Sequence, residues 1–104
     1  MTYKTWLKRY EKLSHWPEHA HIVSVAWDDA TYAQEIEDSG LARAVTLGIV
    51  VEATPDYVKL ASEFFTDASV RDVSTIPSGM IVEIHPIGDT QVRKSEPKPK
   101  PKRR

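Results

Sequence analysis

The opening of the chain repeats its apolar residues at helical spacing. Tyr3, Trp6, Leu7, Tyr10 and Leu13 fall three and four apart, which makes one stripe on an α-helix. Lys4, Lys8, Arg9 and Lys12 take the other positions. Thr2 is suited to the N-cap, and Pro17 forces the chain out of helical geometry just before it. The pattern predicts a helix over Thr2–Leu13, too short to persist alone in water, so its stripe must dock on something. From His21 the period changes to two. Val23, Val25 and Trp27 alternate with Ser24 and Ala26, and Asp28-Asp29 ends that strand. In residues 30–43, Ala30, Ala33, Ile36 and Leu41 fit a short helix ending at Ser39-Gly40, and a long loop fits nearly as well.

From Ala44 the alternation returns. Val45, Leu47, Ile49 and Val51 fall on one side, with Gly48 marking a bulge or a sharp bend. Thr54-Pro55-Asp56 is a turn. A strand over Tyr57–Phe65 carries Val58, Leu60 and Phe64 on one side, and the next strand carries Val70, Val73 and Ile76. Pro77-Ser78-Gly79 turns the chain into Met80, Val82 and Ile84, and Gly88-Asp89 ends the folded part. The expected core is Val23, Val25, Trp27, Ile49, Val51, Val58, Leu60, Ile76, Val82 and Ile84. Short strands with no crossover helices in the second half indicate an antiparallel meander, whose edges are best hidden by curling. The expected fold is mainly β (α+β): an N-terminal helix (1–16), then a five-stranded antiparallel SH3-like or Sm-like small barrel (20–92). A flat sheet with the helix on one face is the alternative. Open edges are expected at Val45–Glu52 and Met80–His85.

Composition adds three constraints. The 104 residues suffice for one modest core. The absence of cysteine excludes disulfides, thiolate metal sites and a cysteine nucleophile, and suits a reducing interior. No apolar run approaches the ~20 residues of a membrane span, and no apolar stretch follows the first residues as in a signal peptide. A cytoplasmic location is expected, in the host cytoplasm if the chain is phage-encoded. The net charge of −1 conceals an asymmetry. Residues 1–92 hold seven Lys/Arg against fourteen Asp/Glu, and residues 93–104 hold seven Lys/Arg against Glu96 alone. That tail alternates proline with lysine, has nothing to bury, and is expected to be disordered.

Three stretches carry a resemblance. They are Val25-Ala26-Trp27-Asp28-Asp29-Ala30, then Gly48-Ile49-Val50-Val51-Glu52-Ala53-Thr54-Pro55-Asp56-Tyr57-Val58-Lys59-Leu60-Ala61, then Thr75-Ile76-Pro77-Ser78-Gly79-Met80-Ile81-Val82-Glu83-Ile84. With them, residues 23–87 resemble a group of uncharacterised small proteins of tailed bacteriophages and prophages. The resemblance implies a small β-barrel and carries over no active site.

Candidate chemistry is sparse. His19 and His21 are two apart, so on a strand they share a face and could hold a zinc or nickel ion with a third ligand from His15 or Glu18. The competing reading is solvated histidines at a helix-to-strand junction, and no metal or cofactor is expected. Asp28, Asp29, Asp56, Asp67 and Asp72 sit at strand ends and turns, where aspartate serves the turn. No nucleophile elbow, phosphate loop or H-E-x-x-H motif occurs, so the chain is read as a binding protein and not an enzyme. Contact residues are expected at Tyr57, Trp6 and Tyr10, and in the tail at Lys98, Lys100, Lys102, Arg103 and Arg104. Trp16, Trp27 and Tyr32 are further aromatic candidates, with Trp27 in phase with the core.

The expected function is that of a phage-type accessory protein binding a host or phage macromolecule and counteracting a host function. A protein partner comes first. Nucleic-acid association through the tail and a barrel face, and an oligomeric barrel holding a nucleotide-like ligand, are the alternatives. The helix stripe and the strand edges favour a homo-oligomer.

Overall fold

The computed structural model describes residues 1–29 and 42–92. The tail, its five candidate contact residues, Tyr32 and most of the ambiguous segment therefore lie outside the described residues. Helix α1 spans Tyr3–Tyr10. The Thr2 hydroxyl accepts from the Thr5 amide at 3.2 Å, and Lys8 and Arg9 sit at the negative end of the helix dipole. The helix is shorter than its apolar stripe. After Tyr10 the bonding tightens to three-residue steps, Lys12 N–H to Arg9 O and Leu13 N–H to Tyr10 O. Leu13 is thereby swung out to 52% exposure and leaves the stripe.

Five strands follow: β1 (His19–Asp29), β2 (Ala42–Ala53), β3 (Tyr57–Phe64), β4 (Val70–Pro77) and β5 (Ile81–Gln91). A single 3₁₀ turn, Ser78–Met80, joins the last two. The sheet order is β4-β3-β2-β1-β5, all antiparallel. The expected meander holds through β4 and then breaks, because β5 returns to the far side of β1. This places β4 and β5 at opposite edges, although only three residues separate them in the chain.

Distances decide the shape. Five flat strands spaced ~4.8 Å apart would hold their edges ~19 Å apart. The four residue steps from Pro77 to Ile81 reach at most ~14 Å. The sheet must bend, which excludes the flat alternative, and it curls without closing into a continuous barrel.

The strands β2 and β3 approach closely at Gly48. A β-carbon there would meet the Ala61 carbonyl oxygen at 2.9 Å and the Leu60 β-carbon at 2.9 Å. Because Gly48 pairs with Val23 and Thr46 with Val25, Gly48 and Thr46 face inward with those valines. The expected phase of β2 fails at Val45 and Leu47, which face outward, 60% and 61% exposed, whereas Ile49 is buried at 8% exposure as expected. The concave side has no room for a side chain at Gly48, and the Trp27 indole covers Thr46, donating to its hydroxyl at 2.9 Å.

Two bulges correct two further core assignments. Val50 takes the core position against Leu60, in phase with Thr46 and Gly48, and since Glu52 pairs with Lys59, Val51 is the extra residue. Ala26 pairs with Glu83 and Trp27 with Ile81, so Val82 is skipped and exposed while Ile81 packs on the core. Val73 pairs with Ala61 and also faces outward.

The core comprises Val23, Val25, Val50, Val58, Leu60, Ile76 and Ile84, closed over by Tyr3, Trp6, Leu7 and Tyr10 of α1. Trp27 lies half-buried at its margin. The Tyr3 hydroxyl lies 2.7 Å from the Thr54 carbonyl oxygen and 2.8 Å from that of Tyr57, which pins the helix to the β2–β3 turn. Met1 adds an edge contact: Ile84 N–H donates to Met1 O, and the Met1 ammonium donates to Ile84 O. Of the two expected open edges, β2 is interior to the sheet and β5 is partly covered by Met1. The helix stripe is buried within its own chain, so it supplies no reason for association.

Candidate functional site

Two surfaces of the curled sheet present chemistry. The first is a cleft of ≈270 Å³ between α1 and the paired strands β1 and β5. Trp6, Arg9, Tyr10 and Leu13 form one wall, and His21, Val23, Pro86 and Asp89 line the other. An aromatic stack builds the helix wall. Ring centroids are 5.6 Å apart from Tyr3 to Trp6, 4.8 Å from Trp6 to Tyr10 and 4.2 Å from Tyr10 to His15. Trp6 and Tyr10 are each 4% exposed. They dock the helix and fill the core, and only their edges reach the cleft wall. Burial pushes the phenols of Tyr3 and Tyr10 up to about 12.

At the mouth of this cleft the histidines separate into two roles. His15 Nε2 lies 2.7 Å from the Tyr10 carbonyl oxygen, which can only accept, so the histidine donates. With its ring stacked on Tyr10, His15 closes the helix end. His21 points an edge at Tyr10 and donates from Nε2 to the Ser14 carbonyl oxygen at 2.7 Å. His19 stacks on His21 at 4.8 Å and donates from Nε2 to Asp89 Oδ1 at 3.0 Å. That hydrogen bond holds the Asp89 carboxyl below the usual carboxylate range.

One potential ligand atom from each of His19, His21 and Asp89 lies within 4.8 Å of the others; among the described residues no other group of three His, Cys, Asp or Glu does so. The sequence paired the two histidines but not with Asp89, which it used only as a chain break. No local signal marks Asp89. It stands directly across from His21 in the β1–β5 register, 68 positions away in the chain. A bulge makes this possible. Val23 pairs with Pro86 and Ile22 with Gly88, so Ile87 is skipped and the alternation of β5 reverses. Without that extra residue Asp89 would face away from His21.

The second surface is the outer face of the sheet. Val45 and Leu47 on β2 and Val73 on β4 project from it, with Ile49 and Ala61 between them. Tyr57 belongs to this face, half-buried, with the Lys59 ammonium 5.7 Å from its ring centroid. Three of the scattered aspartates serve local structure, Asp67 in a turn as expected, but Asp28 within β1 and Asp72 within β4. Asp28 accepts from Arg43 at 2.7 Å, Asp67 from the Ser69 amide at 2.9 Å, and Asp72 from the Ser62 hydroxyl at 3.3 Å.

Among the described residues no helix is long and apolar enough to cross a membrane. Comparison of the chain with protein-family models, with curated proteins and with solved structures gives no match.

Proposed function

We propose that this chain is a non-catalytic binding module on an SH3-like or Sm-like small barrel left partly open. In this reading it is an accessory protein of the phage type, and it docks a protein partner on the outer sheet face. Support for the barrel type comes from the strand order, the close strand approach at Gly48 and the 3₁₀ link between edge strands. The observation that carries the docking reading is the outward set of Val45, Leu47 and Val73. Large aliphatic side chains 60%, 61% and 46% exposed stand on rigid, hydrogen-bonded strands. Rigid apolar groups grouped on one face lose little conformational freedom on association and release ordered water, which is the energetic basis of an interface.

The test is site-specific photo-crosslinking in the source cell. A photoreactive residue at Leu47 or Val73 should give discrete adducts of higher mass, and one at Lys8 on the exposed side of α1 should not. A Leu47→Asp change should abolish the adduct formed from position 73. Equal labelling from positions 47, 73 and 8 would overturn the reading.

A further inference from the structure

We propose that His19, His21 and Asp89 form a binding site for one divalent transition-metal ion of the zinc type. Two imidazoles and one carboxylate are a donor set that suits zinc and its neighbours in the series. Their arrangement is built by the fold. A two-residue step along β1 puts both rings on one face, the β1–β5 register puts Asp89 opposite His21, and the Ile87 bulge turns its carboxylate toward them.

The distances fit one shared ion. Zinc–nitrogen and zinc–oxygen bonds of about 2.0–2.2 Å hold neighbouring ligand atoms roughly 3.0–3.5 Å apart. His19 Nε2 and Asp89 Oδ1 already stand 3.0 Å apart. The third atom lies within 4.8 Å of both, and the Asp89 side chain, 59% exposed, is free to adjust by rotation. The His21 tautomer is set as a metal ligand needs it. Its Nε2–H donates to the Ser14 carbonyl, so Nδ1 carries the lone pair and the ring is oriented by an outer partner. Coordination through His19 Nε2 takes the tautomer that carries its one proton on Nδ1, so the hydrogen bond to Asp89 gives way to the metal while the imidazole stays neutral. His21 and Asp89 also line the cleft beside α1, so the remaining coordination position faces that cleft and takes water or a donor atom entering it.

The test uses the untagged full-length chain, titrated with Co(II) under visible absorbance and then with Zn(II) in competition. One ion should bind per chain. His19→Gln, His21→Gln and Asp89→Asn should each weaken binding by about tenfold or more. His15→Gln and His85→Gln should leave it unchanged, because His15 bonds Tyr10 and His85 pairs with Glu83 away from the cluster. Asp89 is exposed, so Asp89→Asn keeps the fold and is decisive even if His21→Gln loosens the helix end. Absence of saturable binding at millimolar zinc would overturn the proposal, as would wild-type affinity in Asp89→Asn. Equal weakening by His15→Gln and His19→Gln would overturn the assigned ligand set.

Discussion

Gly48 and Leu60 approach so closely across the β2–β3 pair that a β-carbon on the first would stand 2.9 Å from the β-carbon of the second. The Ala61 carbonyl oxygen lies equally near, and as backbone it cannot swing aside. Gly48→Ala should therefore destabilise the fold by about 1–3 kcal/mol, the range for overfilling a packed site. Denaturant unfolding measures it. A neutral result would mean that the bend relaxes without cost.

The assignment of inner and outer faces is checked by a pair of truncations. Leu60 is 1% exposed and sits under α1, so Leu60→Ala should cost about 2–5 kcal/mol. Leu47→Ala removes the same atoms from the solvent side and should fall within about 0.5 kcal/mol of neutral. Comparable losses in the two variants would contradict the register of β2.

Alkaline pH should weaken the protein in a defined window. An unfolded tyrosine ionises near 10, while burial holds Tyr10 at about 12. The folded state therefore keeps the phenol proton longer than the unfolded state. This contribution is fully present below pH ~10 and is lost as pH rises toward ~12. Urea midpoints measured across that window should fall less steeply for Tyr10→Phe than for the wild type. Identical slopes would show that Tyr10 does not contribute.

A stabilising change is expected at the β3–β4 turn. Ala68 has a φ of 76°, in the left-handed region that costs a residue with a β-carbon about 1–2 kcal/mol. Glycine removes that cost but adds about 0.5–1 kcal/mol through the freedom of the unfolded chain. Ala68→Gly should therefore gain about 0.5 kcal/mol, seen as a small rise in Tm. A fall in Tm would show that the turn favours the methyl group.

Where the sequence was legible, the information was local. The stripe Tyr3, Trp6, Leu7 and Tyr10 is one helix face and is buried as one. Val58 and Leu60 alternate inward, and β3 itself carries no extra residue between them. Phasing failed wherever a strand carries an extra residue or a forced bend. Val51 and Val82 obey a period of two in the sequence, but each is itself the extra residue of its strand, and the core places fall to Val50 and Ile81. In β2, Val45 and Leu47 lost the inside to Thr46 and Gly48 because curvature outranked hydrophobicity there. The histidine cluster was half legible for the same reason. The spacing of His19 and His21 is local, whereas Asp89 depends on a pairing between distant strands and on the skipped Ile87.

The short link Ser78–Met80 has a consequence for how the protein opens. It ties together the two margins of the sheet, and the Ser78 amide fastens it to the Asp56 carbonyl at 2.8 Å. In an ordinary open sheet the outermost strand can detach alone, and its amides exchange with solvent while the centre stays protected. Here β4 cannot lift away without pulling on the first residues of β5, and β5 is seated along the length of β1. Detachment at one margin is thereby coupled to the other, and opening should engage most of the sheet at once. The amides of Val58, Ile76 and Ile84, drawn from three strands, should then exchange with nearly the same free energy of opening.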